Sequence, residues 1–321
     1  MDHADIWSGR DDSAEQGDTR RLHQVVRHDP QHGPGDAVLM GFACDAGVRR
    51  NHGRPGAAEA PTEARRKLAG LPIGRLQALW DAGDITCEGD ALEAAQLALA
   101  QRVTQVLDTG ARLVVMGGGH ETAWGDFQGL RDHLYKTGRD GSLAIINFDA
   151  HFDLRTSRPG SSGTPFDQIL ADSRARALPV RYACFGISPI GNTGGLYAHA
   201  QELGVSYVED HQMQERFLQD RLAGIAAIVG SVEHVYLTID TDVLPAYVAP
   251  GVSAPAPLGV PLCVLETCIR AIHASGKLRL ADIAEFNPRH DVDGRTARVV
   301  ARIVWQLLQP VSAAGPQRSA E

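Results

Sequence analysis

Four short stretches of this 321-residue chain carry side chains able to bind metal ions. GGGH ends at His120, DAHFD supplies Asp149, His151 and Asp153, and DTD supplies Asp240 and Asp242, while EFNP begins with Glu285. Taken singly, each stretch has a plainer reading. Three glycines can be a tight turn or a phosphate cradle with a capping histidine, and an Asp-x-Asp pair can simply cap a helix. DAHFD is sharper, because extended alternation would place its three ligand-competent side chains on one side of the backbone. Four carboxylates and two imidazoles brought to one place would raise one another's carboxylate pKa values and destabilise the fold. Two divalent cations would balance the four negative charges. The donor set is rich in oxygen, has two nitrogens and lacks sulfur, which favours Mn²⁺ over zinc or iron–sulfur chemistry, with Co²⁺, Ni²⁺ or Fe²⁺ as substitutes. Two such ions about 3.5 Å apart can share a water, lower its pKa and hold it beside an electrophilic carbon. The chemistry expected is hydrolysis.

These residues need elements to position them, and each stretch directly follows an apolar run. The runs are 37–42, 112–116, 143–148, 182–187, 205–208, 235–239 and 278–284. Several are continuously apolar, as strands covered on both faces are. Between them lie amphipathic stretches. Residues 90–109, with Asp90 as the expected N-cap, align Leu92, Ala95, Leu99, Val103 and Val106 before Gly110. Residues 261–275 align Leu262, Leu265, Cys268, Ile269 and Ile272, and 295–308 align Val299, Val300, Ile303, Val304 and Leu307. This alternation predicts one α/β domain, a three-layer α/β/α arrangement with a doubly wound, mainly parallel sheet, over 36–310. A closed barrel is the alternative. In either case ligands collect beyond the carboxyl ends of the strands, where all four stretches fall. Residues 1–35 read as a polar arm, and 311–321 as a flexible tail.

The composition narrows the function. A net charge of −8 leaves no basic excess for a nucleic-acid partner. The longest apolar run, around 222–230, is too short to span a bilayer, and the polar N-terminus has no signal-like apolar core. No membrane association is expected. The five scattered cysteines form no CxxC pair and read as reduced thiols, Cys44 and Cys184 buried among them. A cytoplasmic location follows as the expectation.

GGGH, DAHFD, TIDTD and AEFNP stand in the order and spacing of the ureohydrolase family of arginase, agmatinase and formimidoylglutamase, which the chain resembles over residues 37–308. The resemblance implies an arginase-like α/β/α fold, a homo-oligomer and two Mn²⁺ per subunit. It implies that His120, Asp149, Asp153 and Asp240 hold one ion. His151, Asp149, Asp240 and Asp242 would hold the other, with Asp149 and Asp240 bridging. Glu285 matches the carboxylate that faces a cationic amidine or guanidine, a role suited to paired N–H donors.

DAGVRRNHGRPGA (45–57), HFDLR (151–155), SSGTPF (161–166) and GISPIGNT (186–193) look like the formimidoylglutamase branch. That branch implies the substrate N-formimidoyl-L-glutamate, hydrolysed to L-glutamate and formamide in histidine degradation. A metal-bridging hydroxide would attack the formimidoyl carbon, and Asp242 or a metal-bound water would pass a proton to the leaving amine. Two departures from arginase bear on the substrate. The loop histidine proposed there as a proton shuttle is missing, and Ser162 or a near neighbour takes its place. Arg155 stands where arginase has an asparagine, and a guanidinium suits a substrate with two carboxylates. Asn192 is a further candidate substrate contact, whereas Arg49, Arg50 and Arg158 read by default as solvated surface. Other amidine or guanidine hydrolases are the nearest alternative. A non-catalytic metal-binding or scaffolding homologue is the second, and a deacetylase on a related fold a remote third.

Overall fold

Strands covered on both faces of a sheet read as largely apolar runs, and the seven runs each supply a strand. The computed structural model describes residues 6–139 and 141–311. Among these residues the strands are β1 (Val26–Arg27), β2 (Ala37–Ala43), β3 (Leu79–Thr86), β4 (Arg112–Met116), β5 (Leu143–Phe148), β6 (Val180–Ile187), β7 (Ser206–Glu209), β8 (His234–Asp240) and β9 (Leu278–Ala284). They pair in parallel throughout, in the order β1-β3-β2-β4-β9-β8-β5-β6-β7. β1 and β7 stand at opposite edges, so the sheet is open. The barrel alternative falls.

The helices are α1 (Ala46–Arg50), α2 (Ala60–Ala69), α3 (Leu92–Asp108), α4 (Thr122–Lys136), α5 (Pro165–Ala175), α6 (Gly194–Glu202), α7 (Leu218–Gly230), α8 (Leu262–Ala274) and α9 (Arg295–Leu308). Alternate strand residues feed two separate cores, because successive side chains point to opposite faces. Val114, Ile146, Leu237 and Ala281 pack with Leu68, Ile269 and Val300 of α2, α8 and α9. Val115, Ile145, Tyr236 and Leu280 pack with Leu99, Phe127 and Ile169 of α3, α4 and α5. The three-layer reading therefore describes the molecule. Asp90 is not the N-cap of α3. Ala91 holds that position, and the Asp90 carboxylate pairs with Arg50. Gly110 and Gly276 follow their helices with φ of 80° and 70°, the left-handed turn that glycine adopts freely.

The lead-in before β2 is irregular over most of its length, yet it is anchored. Trp7 and Leu22 are buried in the core beneath α2 and α9, and β1 pairs with β3. The proposed tail lies outside the described residues except for Val311, as do residues 1–5. No helix among the described residues is long and apolar enough to cross a membrane. All five cysteines are unpaired, with Cys44, Cys184 and Cys268 buried.

The topology decides where chemistry can collect. The chain starts at the β1 edge and works inward to β4, then runs from β5 outward to the β7 edge, and β8 and β9 fill the gap between β4 and β5. The four motif-bearing strands β4, β9, β8 and β5 are consecutive neighbours. Their ends are level, with Met116 opposite Ile283, Asp240 opposite Ala284, and Phe148 opposite Ile239.

Candidate metal centre

The turn after β4 places His120. Gly117 donates its N–H to Ile283 O and Gly119 donates to Cys44 O, so these amides are committed to neighbouring strands rather than to a phosphate. The glycines are there for clearance. A Cβ on Gly118 would collide with the Cys44 carbonyl, and one on Gly119 with the Glu121 carboxylate. Glu285 closes the turn from β9, donating its N–H to Gly118 O at 2.7 Å and accepting the His120 N–H at 2.9 Å. It does so in the left-handed region, at φ 63°.

The DAHFD segment converges by a different route from the one the sequence suggests. It is not an extended strand. The chain bends after β5, and Asp153 sits at φ 49°, a conformation that aspartate tolerates better than most residues. Asn192 holds the bend. Its carbonyl accepts the Phe152 N–H at 3.1 Å, and its amide donates to Ala150 O at 2.8 Å and Ser188 O at 2.9 Å. Asn192, expected as a substrate contact, commits its amide hydrogens to backbone while its side chain also lines the cavity described below. Asn147 steadies the next ligand along, donating to Asp149 Oδ2 at 2.9 Å.

The expected ligands meet. His120 Nδ1 lies 3.2 Å from Asp149, 3.0 Å from Asp153 and 3.2 Å from Asp240. His151 Nδ1 lies 3.1 Å from Asp242 and 3.7 Å from Asp149. Two groupings have ligand atoms within 4.8 Å of one another: His120, Asp149, Asp153 and Asp240, and then Asp149, His151 and Asp242. Asp149 is common to both. Asp240, implied as the second bridge, falls in the first group only, and its Oδ1 accepts the Asp242 N–H at 2.8 Å.

The electrostatics are those of a cage built around positive charge. Burial, with Asp149 alongside, pushes the Asp153 carboxyl up to about 6. Burial and the neighbouring Asp242 and Asp149 push Asp240 well above the usual range. Burial and Glu121 do the same to Glu285. Burial disfavours a charged His120, but the carboxylates around it outweigh that and raise its pKa. Divalent cations among these carboxylates would relieve the crowding that raises them. Among the described residues His120 Nδ1 and Asp242 Oδ1 have no hydrogen-bond partner despite full burial. Orphaned donor atoms of this kind, with only O and N ligands, fit a pair of hard-to-borderline divalent ions such as Mn²⁺.

A cavity of about 300 Å³ opens onto the cage. His151, Asp153, Asp240, Asp242 and Glu285 line it, together with Arg155, Ser162 and Asn192. Ser162 Oγ accepts from Asn51 Nδ2 at 3.2 Å. The Arg155 backbone N–H bonds Gly163 O, and its exposed guanidinium has no hydrogen-bond or ion-pair partner among the described residues. The other arginines considered are committed: Arg49 to Asp45, Arg50 to Asp90 and Glu93, and Arg158 to Asp167. Sequence reasoning missed the wall formed by Asn51, His52, Gly53 and Arg54 with Ser253 and Ala254. The likeness of 45–57 to the formimidoylglutamase branch was a signal, but nothing in the sequence joined that stretch to residues 253–254.

Comparison with known proteins agrees with this geometry. The model of the Arginase family matches residues 35–309. A formimidoylglutamase of Cupriavidus pinatubonensis is 55% identical, over 94% of this chain and 97% of its own length. The crystal structure of formimidoylglutamase from Bacillus subtilis superposes with a TM-score of 0.79 at 21% identity, covering 93% of this chain and 94% of that one, a likeness of fold. Trypanosoma cruzi formiminoglutamase, solved with two Mn²⁺, gives a TM-score of 0.73 at 25% identity, covering 85% of this chain and 92% of that one. A family match that spans β2 to β9, with metal-ligand candidates at the ends of β4, β5 and β8 and Glu285 at the end of β9, makes this chain a member of the arginase family.

Proposed function

We propose that the chain hydrolyses N-formimidoyl-L-glutamate to L-glutamate and formamide, using two Mn²⁺ held by His120, Asp149, Asp153 and Asp240 and by Asp149, His151 and Asp242. One observation carries the choice of substrate within the family. The cavity pairs an acidic cage with Arg155, whose guanidinium is uncommitted among the described residues. A formimidoyl dicarboxylate needs both ends, a carboxylate for its amidinium and a fixed cation for its acid groups. Agmatine has no use for the second. The 55% identity to a curated formimidoylglutamase supports the same reading.

When bound, the two ions supply a water of lowered pKa, positioned for attack on carbon. The chain's own residues do the rest. Glu285 keeps one oxygen on the His120 N–H and offers the other to the amidinium, holding the electrophilic carbon over the cage. Arg155 fixes a carboxylate at the cavity mouth, so the substrate enters in one orientation. Asp242, with an oxygen unpartnered among the described residues, takes a proton from the attacking water and hands it to the departing glutamate amine as the C–N bond breaks. Ser162, held by Asn51, lines the space where a shuttle histidine is absent. We further assign the catalytic unit to 36–310 as a single domain, a homo-oligomeric state from family likeness, and a cytoplasmic location in keeping with five unpaired cysteines.

The test is a substrate panel on Mn²⁺-reconstituted protein, with formamide and urea scored separately. Formamide from formimidoylglutamate, at the highest kcat/KM of the panel, is the expected result. Urea from arginine or agmatine at higher kcat/KM would overturn the substrate assignment. No turnover of any member would favour the non-catalytic alternative.

A further inference from the structure

His120 is fixed from behind by a chain of groups that never reaches the cavity. Its Nε2 lies 2.9 Å from Thr238 Oγ1. Thr238 Oγ1 donates to Asp282 Oδ1 at 2.8 Å, and the Tyr236 hydroxyl donates to Asp282 Oδ2. Thr238 and Tyr236 are alternate residues of β8 on one face, and Asp282 stands directly opposite Thr238 on β9. His120, Tyr236, Thr238 and Asp282 are all 0% exposed, so no solvent competes for these bonds.

The direction of the chain follows from counting protons. A threonine hydroxyl has one hydrogen, and here it goes to Asp282. Towards His120 the same oxygen can then only accept, so the ring must carry its hydrogen on Nε2. We infer that Thr238, held by Asp282 and Tyr236, is a positioning residue that selects the Nε2–H tautomer of His120. It thereby turns the Nδ1 lone pair into the carboxylate cluster as a metal donor. With the proton order reversed, Nδ1–H would point at Asp149, Asp153 and Asp240 and close the cage with hydrogen bonds, excluding an ion. The orphaned Nδ1, 3.0–3.2 Å from three carboxylates, is the counterpart of this arrangement. The Phe166 ring, edge-on to the imidazole with centroids 5.2 Å apart, leaves the hydrogen bond to Thr238 to set the tautomer. The inference concerns metal binding alone and stands whichever amidine is the substrate.

Calorimetric Mn²⁺ titration of the metal-free chain tests it, comparing Thr238→Val, which keeps the shape, with Thr238→Ser, which keeps the hydroxyl. Thr238→Val should bind the His120-side ion about 10–100-fold more weakly, as loss of an outer partner of a ligating histidine does. Thr238→Ser should restore near-normal affinity, and the KM of Thr238→Val at saturating Mn²⁺ should be unchanged. Equal melting temperatures of the metal-free variants separate this from misfolding. Nitrogen NMR of the unaltered, Zn²⁺-loaded protein reads the tautomer without any substitution. Unaltered affinity in Thr238→Val, or a His120 proton on Nδ1, would overturn the proposal.

Discussion

Among the described residues, the buried charges around Arg65 and those of the cage differ in completeness. Under α2, Arg65 is 0% exposed and spans Asp81 and Asp84 of β3. Its Nε and Nη2 donate to the two Asp81 oxygens at 2.8 Å each, Nη1 donates to Asp84 at 2.6 Å, and Trp7 Nε1 adds a bond to Asp81 at 2.7 Å. Burial alone would raise the Asp81 pKa, but Arg65 outweighs it and holds the carboxyl below its usual value. The cage at the strand ends has the same kind of burial with the opposite outcome. Its carboxylates crowd one another, two are pushed upward, and two of its polar atoms lack partners among the described residues. The first cluster is complete within the chain and serves the fold. The second is completed only by something the chain must bind. Satisfaction, more than burial or charge, separates structural from functional ion clusters.

The largest effect should come from Asp149→Asn, because Asp149 alone belongs to both ligand groupings. Loss of an outer partner already costs about 10–100-fold, and loss of a shared ligand should exceed that in turnover, with bound manganese falling. Near-normal activity and metal content would sink the two-ion reading. Asp240→Asn sharpens the contrast from the other side. It removes a like charge from a crowded site, so the metal-free protein should melt no lower, while the stabilisation brought by Mn²⁺ shrinks.

Next in size is Arg65→Met, which takes the guanidinium away from Asp81 in the interior. Breaking a buried pair from one side costs about 3–5 kcal/mol, to be read from denaturant unfolding of the Mn²⁺-loaded protein. Manganese affinity and kcat below the melting transition should not change. If added Mn²⁺ restored the lost stability in full, the two clusters would not be independent. Arg155→Ala should come third. Losing a hydrogen-bonded charge contact of about 1.5–3 kcal/mol predicts a KM for formimidoylglutamate about ten- to a hundredfold higher, with metal content unchanged. An unaltered KM would remove Arg155 from the substrate site.

The same contrast explains what could be read from the sequence. β4, β5, β8 and β9 were visible because each is mostly apolar, and the cage residues because each group follows such a run at once. β3 was not visible, since LWDAGDIT carries the two aspartates that receive Arg65, and α2 was hidden by the same arginine on its buried face. Around the cage, Asn147, Thr238 and Asp282 are polar residues inside strands, where a pattern of hydrophobicity registers only an interruption. Their partners are fixed by strand order, and β8 and β9 reach their places beside β5 and β4 through long crossovers that no local signal encodes. The bend of DAHFD was missed for a related reason: it depends on Asn192 from another loop.

The smallest predicted effect probes how the complete cluster is organised. Trp7→Phe keeps a ring in the core and deletes only the indole N–H that reaches Asp81 Oδ2. That oxygen still receives Arg65 Nε, so no carboxylate atom is orphaned, and the cost should stay near 1 kcal/mol in urea unfolding. Because the Asp81 pKa is lowered in the folded state, its stabilisation is present above the unfolded value near 3.8 and is lost as pH falls through the depressed folded one. The gap between Trp7→Phe and the unaltered protein should therefore hold constant through neutral pH and narrow only below about 3.8. A gap as large as that of Arg65→Met would mean that the lead-in, rather than the arginine, carries the cluster. A gap that narrows already at neutral pH would mean that Asp81 is not the group Trp7 serves.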